Sequence, residues 1–118
     1  MRILDVSRNE LIQLPDSFGR LSSLQEFYCT KNEIRKLKET FALKLISLRH
    51  LNLNHNSISK LPHCFTQLKA LEYCDLSYVS HKYIHIQLFP KTLVRLTTTY
   101  NISKNRTHYR NYHQQLDV

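Results

Sequence analysis

A repeated pattern of apolar residues, with a period close to 23 residues, constrains the fold of this chain more than any other feature of its sequence. Asparagine marks four of the five copies, at Asn9, Asn32, Asn56 and Asn101, and Val79 takes its place in the fourth copy. The intervals between these positions are 23, 24, 23 and 22 residues. One such unit cannot bury its own apolar face, so the periodicity predicts a stack of similar coils. The apolar positions of the three best copies are Met1, Leu4, Val6, Leu11, Leu14 and Phe18; Leu24, Phe27, Cys29, Ile34, Leu37 and Phe41; and Leu48, Leu51, Leu53, Ile58, Leu61 and Phe65.

Two features of each copy explain the pattern in physical terms. The second and third apolar residues stand two positions apart, as Leu51 and Leu53 do, so they share one face of a short strand buried between neighbouring coils. The asparagine side chain carries both a donor and an acceptor and can satisfy backbone groups at each tight turn. Val79 cannot form such bonds, so the fourth turn is predicted to be looser. The predicted structural asparagines are Asn9, Asn32, Asn56 and Asn101.

The pattern L-x-x-L-x-L-x-x-N-x-L-x-x-L-P resembles the leucine-rich repeat family, strongly over residues 1–79 and weakly over 80–103. The resemblance implies an α/β-type solenoid of four to five coils, with short parallel strands on the concave face and irregular or 3₁₀ returns. Within the family, the 23-residue period and the stretch LDVSRNELIQLP, residues 4–15, are most similar to the intracellular repeats of Ras-pathway and cell-polarity scaffolds.

The chain divides by its pattern into three segments. Residues 1–79 hold three regular repeats and the start of a fourth, residues 80–103 a degenerate fourth and fifth repeat, and residues 104–118 a basic tail that is predicted to be disordered. Ile84, Ile86 and Leu88 alternate as a strand would, and Phe89-Pro90 is taken as a substitute for the Leu-Pro pair. Met1 falls on the first position of a repeat without a polar cap before it, so we expect a short or truncated product of a longer repeat protein.

Composition narrows the class and the compartment. With 118 residues the chain forms one small domain, and no run approaches the roughly 18 apolar residues that a membrane helix needs. Charged residues among the first ten disfavour a signal peptide, and three cysteines without a close pair favour a reducing compartment. We therefore expect a cytoplasmic or nuclear location.

The resemblance implies that the residues between the buried leucines of each strand point outward and form a binding surface for another protein. Tyrosine and arginine dominate the hot spots of protein interfaces, which favours the aromatic and basic residues of this surface. The partner-binding candidates are Tyr28, Lys31, Arg49, His50, Asn52, Tyr73, Asp75 and Tyr78.

Catalytic, metal and cofactor chemistry have little support in the sequence. Cys29 and Cys74 occupy buried leucine positions, where a thiol fills space, and His50 with His55 lacks a third ligand. The single glycine, Gly19, disfavours a glycine-rich phosphate loop. We predict no catalytic, metal or cofactor site and expect a non-enzymatic protein-interaction module, for example an intracellular signalling scaffold or adaptor.

The alternative function is binding of nucleic acid or another polyanion. Residues 80–118 hold six lysines and arginines against one aspartate, a net charge of +5, out of +8 for the whole chain. Residues 106–113, RTHYRNYH, interleave cations with aromatic side chains that can stack on bases. Such a tail predicts at least weak, nonspecific affinity for polyanions at low salt.

Overall fold

The computed structural model describes residues 1–78 and 86–98. These residues contain five three-residue strands that form one parallel sheet in the order of the chain. We name each coil by the apolar residue that opens it: coil 1 begins at Met1, coil 2 at Leu24, coil 3 at Leu48, coil 4 at Leu71 and coil 5 at Leu93. The strands are β1 (Ile3–Asp5), β2 (Glu26–Tyr28), β3 (His50–Asn52), β4 (Tyr73–Asp75) and β5 (Arg95–Thr97).

The strand register follows the sequence repeat. Ile3 pairs with Glu26, Glu26 with His50, His50 with Tyr73, and Tyr73 with Arg95. The offsets are therefore 23, 24, 23 and 22 residues, the same intervals that separate the asparagine positions. The predicted solenoid of parallel strands is confirmed, because each coil repeats the path of its predecessor and brings equivalent residues side by side.

The returns between strands are short and irregular. In the described part of the chain, 3₁₀ helices span Asp16–Arg20, His63–Gln67 and Ile86–Leu88. Pro15 and Pro62 precede the first two in extended conformation, since proline has no N–H to extend a helix backward. Coil 2 has Lys38 in place of this proline and one residue more, and it returns through turns.

Residues 86–88 correct a sequence prediction. They form a 3₁₀ helix rather than the strand predicted from the alternation of Ile84, Ile86 and Leu88, of which Ile84 lies outside the described residues. Leu88 and Phe89 are adjacent in sequence and both buried, a pattern that a strand with one buried face does not give.

A row of phenylalanine rings fills the core behind the sheet. The ring centroids of Phe18 and Phe41 lie 5.4 Å apart, those of Phe41 and Phe65 5.7 Å, and those of Phe65 and Phe89 5.8 Å. The first two pairs are stacked and the last is edge-on, arrangements that add attraction beyond the burial of area. Phe89 is thus the phenylalanine of its coil, and the prediction that Phe89-Pro90 replaces the Leu-Pro pair is wrong.

The single glycine lies where coil 1 meets the longer return of coil 2. The Gly19 carbonyl accepts a 2.6 Å hydrogen bond from the Lys44 backbone N–H, and Gly19 itself is buried. A Cβ atom at this position would overlap the Thr40 carbonyl oxygen and press on that of Phe41. Only glycine allows the two backbones to approach this closely.

Buried asparagines join each coil to the one before it. The Asn32 side chain accepts a 3.1 Å hydrogen bond from the Leu11 N–H and donates one of 3.0 Å to the Val6 carbonyl. Asn56 repeats this arrangement one coil later, accepting from the Ile34 N–H at 3.1 Å and donating to the Cys29 carbonyl at 2.8 Å. Both asparagines are 7% exposed, so both of their polar groups are bonded without water.

Asn9 occupies the same position in coil 1 but is exposed. It donates to two carbonyls of its own coil, those of Val6 and Ser7. Val79 and Asn101 lie outside the described residues, as does the turn that Val79 was predicted to loosen.

The residue before each asparagine position adopts a left-handed conformation. Its φ is 60° at Arg8, 58° at Lys31, 53° at His55 and 69° at Tyr78. None of these residues is glycine, although non-glycine residues pay about 1–2 kcal/mol for this region. The conformation is kept because it aims backbone N–H groups at the next coil, as from Arg8 to the Thr30 carbonyl at 2.7 Å.

Candidate partner-binding face

Ten outward side chains of the five strands form what we call the strand face. Successive residues of a strand point to opposite sides of the sheet, so the buried middle residue of each strand leaves its two neighbours outside. Because the strands are in register, these neighbours align in two rows across the sheet. The first row is Ile3, Glu26, His50, Tyr73 and Arg95, and the second row is Asp5, Tyr28, Asn52, Asp75 and Thr97.

Three aromatic rings make contact diagonally across the middle of the strand face. The ring centroid of His50 lies 5.2 Å from that of Tyr28 and 5.6 Å from that of Tyr73. Tyr28 and His50 are half-buried, whereas Tyr73 is 37% exposed. The rings therefore hold one another in place and leave a flat, partly apolar surface open to a partner.

The Tyr28 hydroxyl group is fixed by a carboxylate on its own strand. It donates a 2.6 Å hydrogen bond to the Glu26 Oε1 atom. This bond raises the pKa of Tyr28 to about 12, because the proton that would be lost is held by the carboxylate, with burial and the charge of Glu26 acting in the same direction. The bond also orients the ring of Tyr28 toward His50.

An ion pair borders the aromatic rings. Arg49 donates from Nε to Oε2 of Glu72 at 2.9 Å and from a terminal nitrogen to Oε1 at 3.2 Å. The hydrogen bond and the charge of Glu72 raise the pKa of Arg49 above its usual value. The guanidinium group is fixed by two bonds yet its side chain is 57% exposed, so it can still face a partner. A shallow depression of about 190 Å³ lies between this pair and the rings of His50 and Tyr73.

The second row combines surface position with a structural task. The side-chain oxygens of Asp5, Asn52 and Asp75 each accept a hydrogen bond of 2.9–3.0 Å from the backbone N–H two residues on. These bonds start the turn that follows each strand, and they lower the pKa of Asp5. Tyr28 interrupts the series in coil 2, where the Ser7 hydroxyl oxygen accepts from the Thr30 N–H at 3.0 Å instead.

The structure thus brings four of the eight predicted partner-binding residues into one cluster and places the others around it. Tyr28, Arg49, His50 and Tyr73 form the cluster, which we call the central patch. Asn52 and Asp75 lie in the second row and support turns. Lys31 and Tyr78 lie past the strand ends in the left-handed turns, where the Tyr78 ring, 53% exposed, rests 4.1 Å from that of His55.

Sequence reasoning missed the acidic partners of this patch. Glu72 stands 23 residues after Arg49 and Glu26 two residues before Tyr28, so the repeat interval and the strand period already make both pairs neighbours. Residues 99–118, including the basic RTHYRNYH segment, lie outside the described residues, and the structure does not address the predicted polyanion binding.

The three thiols of the chain do not belong to the strand face. Cys29, Cys64 and Cys74 are free and buried, and burial raises the pKa of Cys29 to about 11 and raises those of Cys64 and Cys74 as well. In the described ranges, no three histidine, cysteine or acidic side chains are grouped as metal ligands would be. No helix in that part of the chain is long and apolar enough to cross a membrane.

Comparison with known proteins identifies the family. Family models described as leucine-rich repeat match residues 1–21 and 26–78, which together include β1 to β4 and the returns between them. The chain belongs to the leucine-rich repeat family. Leucine-rich repeat domains generally mediate protein–protein interaction and are typically non-enzymatic.

A curated relative extends the comparison beyond the repeat pattern. The chain is 35% identical over 81 residues to a mouse (Mus musculus) protein named podocan-like protein 1. The matched region covers 66% of this chain and 14% of that relative. This chain therefore spans about a seventh of the length of the leucine-rich repeat relative that it matches.

Proposed function

We propose that this chain is a non-enzymatic interaction module that binds another protein through the strand face, with the central patch as the main contact. The observation that supports this most is the continuity of the patch. Two tyrosines, a histidine and an arginine from three neighbouring coils touch or border one depression. Tyrosine and arginine are the residue types most enriched where binding energy concentrates.

The fixed geometry of the patch supports the same proposal. The Tyr28 hydroxyl group and the Arg49 guanidinium group are held by carboxylates, and the His50 ring lies between two others. Side chains that are already ordered lose less conformational entropy on binding, which leaves more of the contact energy for affinity. The patch also lies on rigid strands rather than on loops, which keeps its shape constant.

The more specific role within this proposal is that of an intracellular signalling scaffold or adaptor, in the cytoplasm or nucleus. It is supported by the resemblance of residues 4–15 to the repeats of Ras-pathway and polarity scaffolds, and by three thiols that are all free. Free cysteines fit a reducing compartment. Fractionation of cells that express the tagged chain tests the compartment.

Site-specific photo-cross-linking tests the binding face. The photoreactive residue p-benzoylphenylalanine replaces Tyr73 on the strand face or, as the matched control, Leu43, which is 52% exposed in the return of coil 2. We expect a discrete cross-linked protein from position 73 and none of the same mass from position 43. The same adducts from both positions, or a discrete adduct from position 43 alone, would contradict the proposal.

A further inference from the structure

A second surface lies outside the strand face, where each coil leaves its asparagine turn. Equivalent residues of coils 1 to 3 come together there, since Ile12 and Arg35 are 23 residues apart and Lys36 and Lys60 are 24 apart. All of these side chains are exposed. We call this surface the lateral groove, and it is formed by Ile12, Gln13, Arg35, Lys36, Lys38 and Lys60.

The lateral groove consists of two depressions that share a wall. One, of about 420 Å³, lies between coils 1 and 2, and the other, of about 460 Å³, lies between coils 2 and 3. Arg35 and Lys36 line both of them. The floor of the second is apolar, because Leu37, Leu61 and Pro62 are buried beneath it.

Positive charge dominates the groove and is poorly neutralised. Four cations line it, with Glu39 as the one carboxylate among the lining residues that the structure describes. Lys38 is paired with Asp16 at 2.7 Å. Within residues 1–78 and 86–98, Arg35, Lys36 and Lys60 have no carboxylate within salt-bridge distance. The two rows of the strand face carry the opposite balance, with three carboxylates against Arg95 as the one lysine or arginine.

We propose that the lateral groove binds a short, extended, acidic segment of a partner protein. Neighbouring parallel strands are about 4.8 Å apart, so three coils span about 10 Å, which an extended chain covers with three or four residues at about 3.3 Å each. Alternate residues of such a segment project to the same side, so two of its carboxylates reach Arg35 and Lys36 together. The exposed Ile12 side chain, 64% accessible, offers an apolar contact beside them.

The composition of the groove favours a peptide over a nucleic acid. No aromatic side chain lines either depression, so the groove has no platform on which a base can stack. Glu39 would face a phosphate backbone with a like charge. An acidic peptide, by contrast, uses both the discrete cations and the apolar surface. This proposal goes beyond the function proposed for the strand face, because the two surfaces share no residue and a segment in one leaves the other open.

Fluorescence anisotropy on the full chain at low salt tests the proposal. The probe is a fluorescein-labelled octapeptide in which glutamate alternates with leucine, and its glutamine counterpart is the uncharged control. The variant Arg35→Gln with Lys36→Gln removes the shared wall of cations. The matched control, Lys44→Gln with Lys69→Gln, removes the same charge from exposed positions that line neither depression.

We expect the glutamate peptide to bind the wild-type chain more tightly than its glutamine counterpart does. The groove variant should weaken binding about fivefold or more, and the control variant and Tyr73→Ala should leave it within about twofold, since each exposed ion pair contributes about 0.2–1 kcal/mol. No binding of the glutamate peptide, or an equal loss in the groove and control variants, would overturn the proposal. Tighter binding of a labelled oligothymidylate of eight nucleotides would overturn it in favour of a polyanion site. Because Tyr73→Ala alters only the strand face, failure of either proposal is seen separately.

Discussion

At the scale of single residues, position in the stack matters more than residue type. Asn9 and Asn56 occupy equivalent positions, yet Asn9 is exposed and bonds only to its own coil, whereas Asn56 is 7% exposed and joins two coils. A polar group that is buried cannot exchange a lost partner for water, so equal substitutions at the two positions should have unequal costs.

We predict that Asn56→Asp destabilises the chain by about 3 kcal/mol at pH 7 and that Asn9→Asp changes its stability by less than about 1 kcal/mol. At position 56 a carboxylate oxygen would face the Cys29 and Leu53 carbonyls, to which the amide now donates at 2.8 and 3.2 Å. Urea denaturation at pH 7 measures both costs.

The same variant should show a pH dependence of known sign. Burial beside carbonyl oxygens raises the pKa of the new carboxyl group in the folded state above its unfolded value of about 3.9. The folded Asn56→Asp chain then binds the proton more tightly, so its stability relative to the wild type is recovered below about pH 4 and falls as the pH rises through the folded-state pKa. A constant deficit between pH 3.5 and 7 would contradict this assignment.

We predict that Gly19→Ala destabilises the chain by about 2–3 kcal/mol, because the new methyl group meets backbone carbonyls that cannot rotate away. Ser17→Ala, at an exposed position of the same 3₁₀ helix, is the control and should change the free energy of unfolding by less than about 0.5 kcal/mol. Thermal melts of the two variants measure the difference, and equal melting temperatures would show that the coils separate at this point.

At the scale of elements, the left-handed turns carry strain that the fold retains. Lys31 has a φ of 58° and donates its N–H to the Asn54 carbonyl at 3.1 Å, so its conformation is set by the next coil. We predict that Lys31→Gly stabilises the chain by about 0.5–1 kcal/mol, because glycine adopts this region without strain. Glu33→Gly, two residues on and without a positive φ, should lower the stability by a similar amount, and chemical denaturation of both variants compares them.

Elements also show what the sequence could and could not predict. The strand register was predictable, because one repeated interval sets every pairing, and the outward rows followed from it. The alternation of Ile84, Ile86 and Leu88 was misleading, because a few residues do not distinguish a strand from a single 3₁₀ turn. The Arg49–Glu72 pair was within reach of the 23-residue interval. The role of Gly19 was not, because it depends on the path of the extra residue in coil 2.

At the scale of the whole molecule, stability is the sum of contacts between neighbouring coils, so a defect in one coil spreads only to the next. The two surfaces described above follow from the same stacking, since each is a row of equivalent positions read across coils. The strand face offers aromatic and paired charged groups, and the lateral groove offers unpaired cations. One partner can therefore engage either surface without blocking the other.

Deletion of residues 104–118 separates the sequence-predicted polyanion binding from the strand face. This segment carries three cations against one aspartate. We predict that the deletion abolishes retention on a phosphocellulose column at low salt and leaves binding of a strand-face partner within about twofold, because no charged residue of the face is removed. Unchanged retention after the deletion would assign the polyanion affinity to the coils instead.

The most direct test of the account is a pair of dissociation constants for the partner captured from position 73, measured by calorimetry with Tyr73→Ala and with Leu43→Ala. Both variants remove one exposed side chain, from the central patch and from the return of coil 2 respectively. The account predicts that Tyr73→Ala raises the dissociation constant about tenfold or more, as expected for a contact worth over about 1.4 kcal/mol, and that Leu43→Ala leaves it within about twofold. Equal effects of the two substitutions, or a larger effect of Leu43→Ala, would contradict the claim that the strand face is the binding surface.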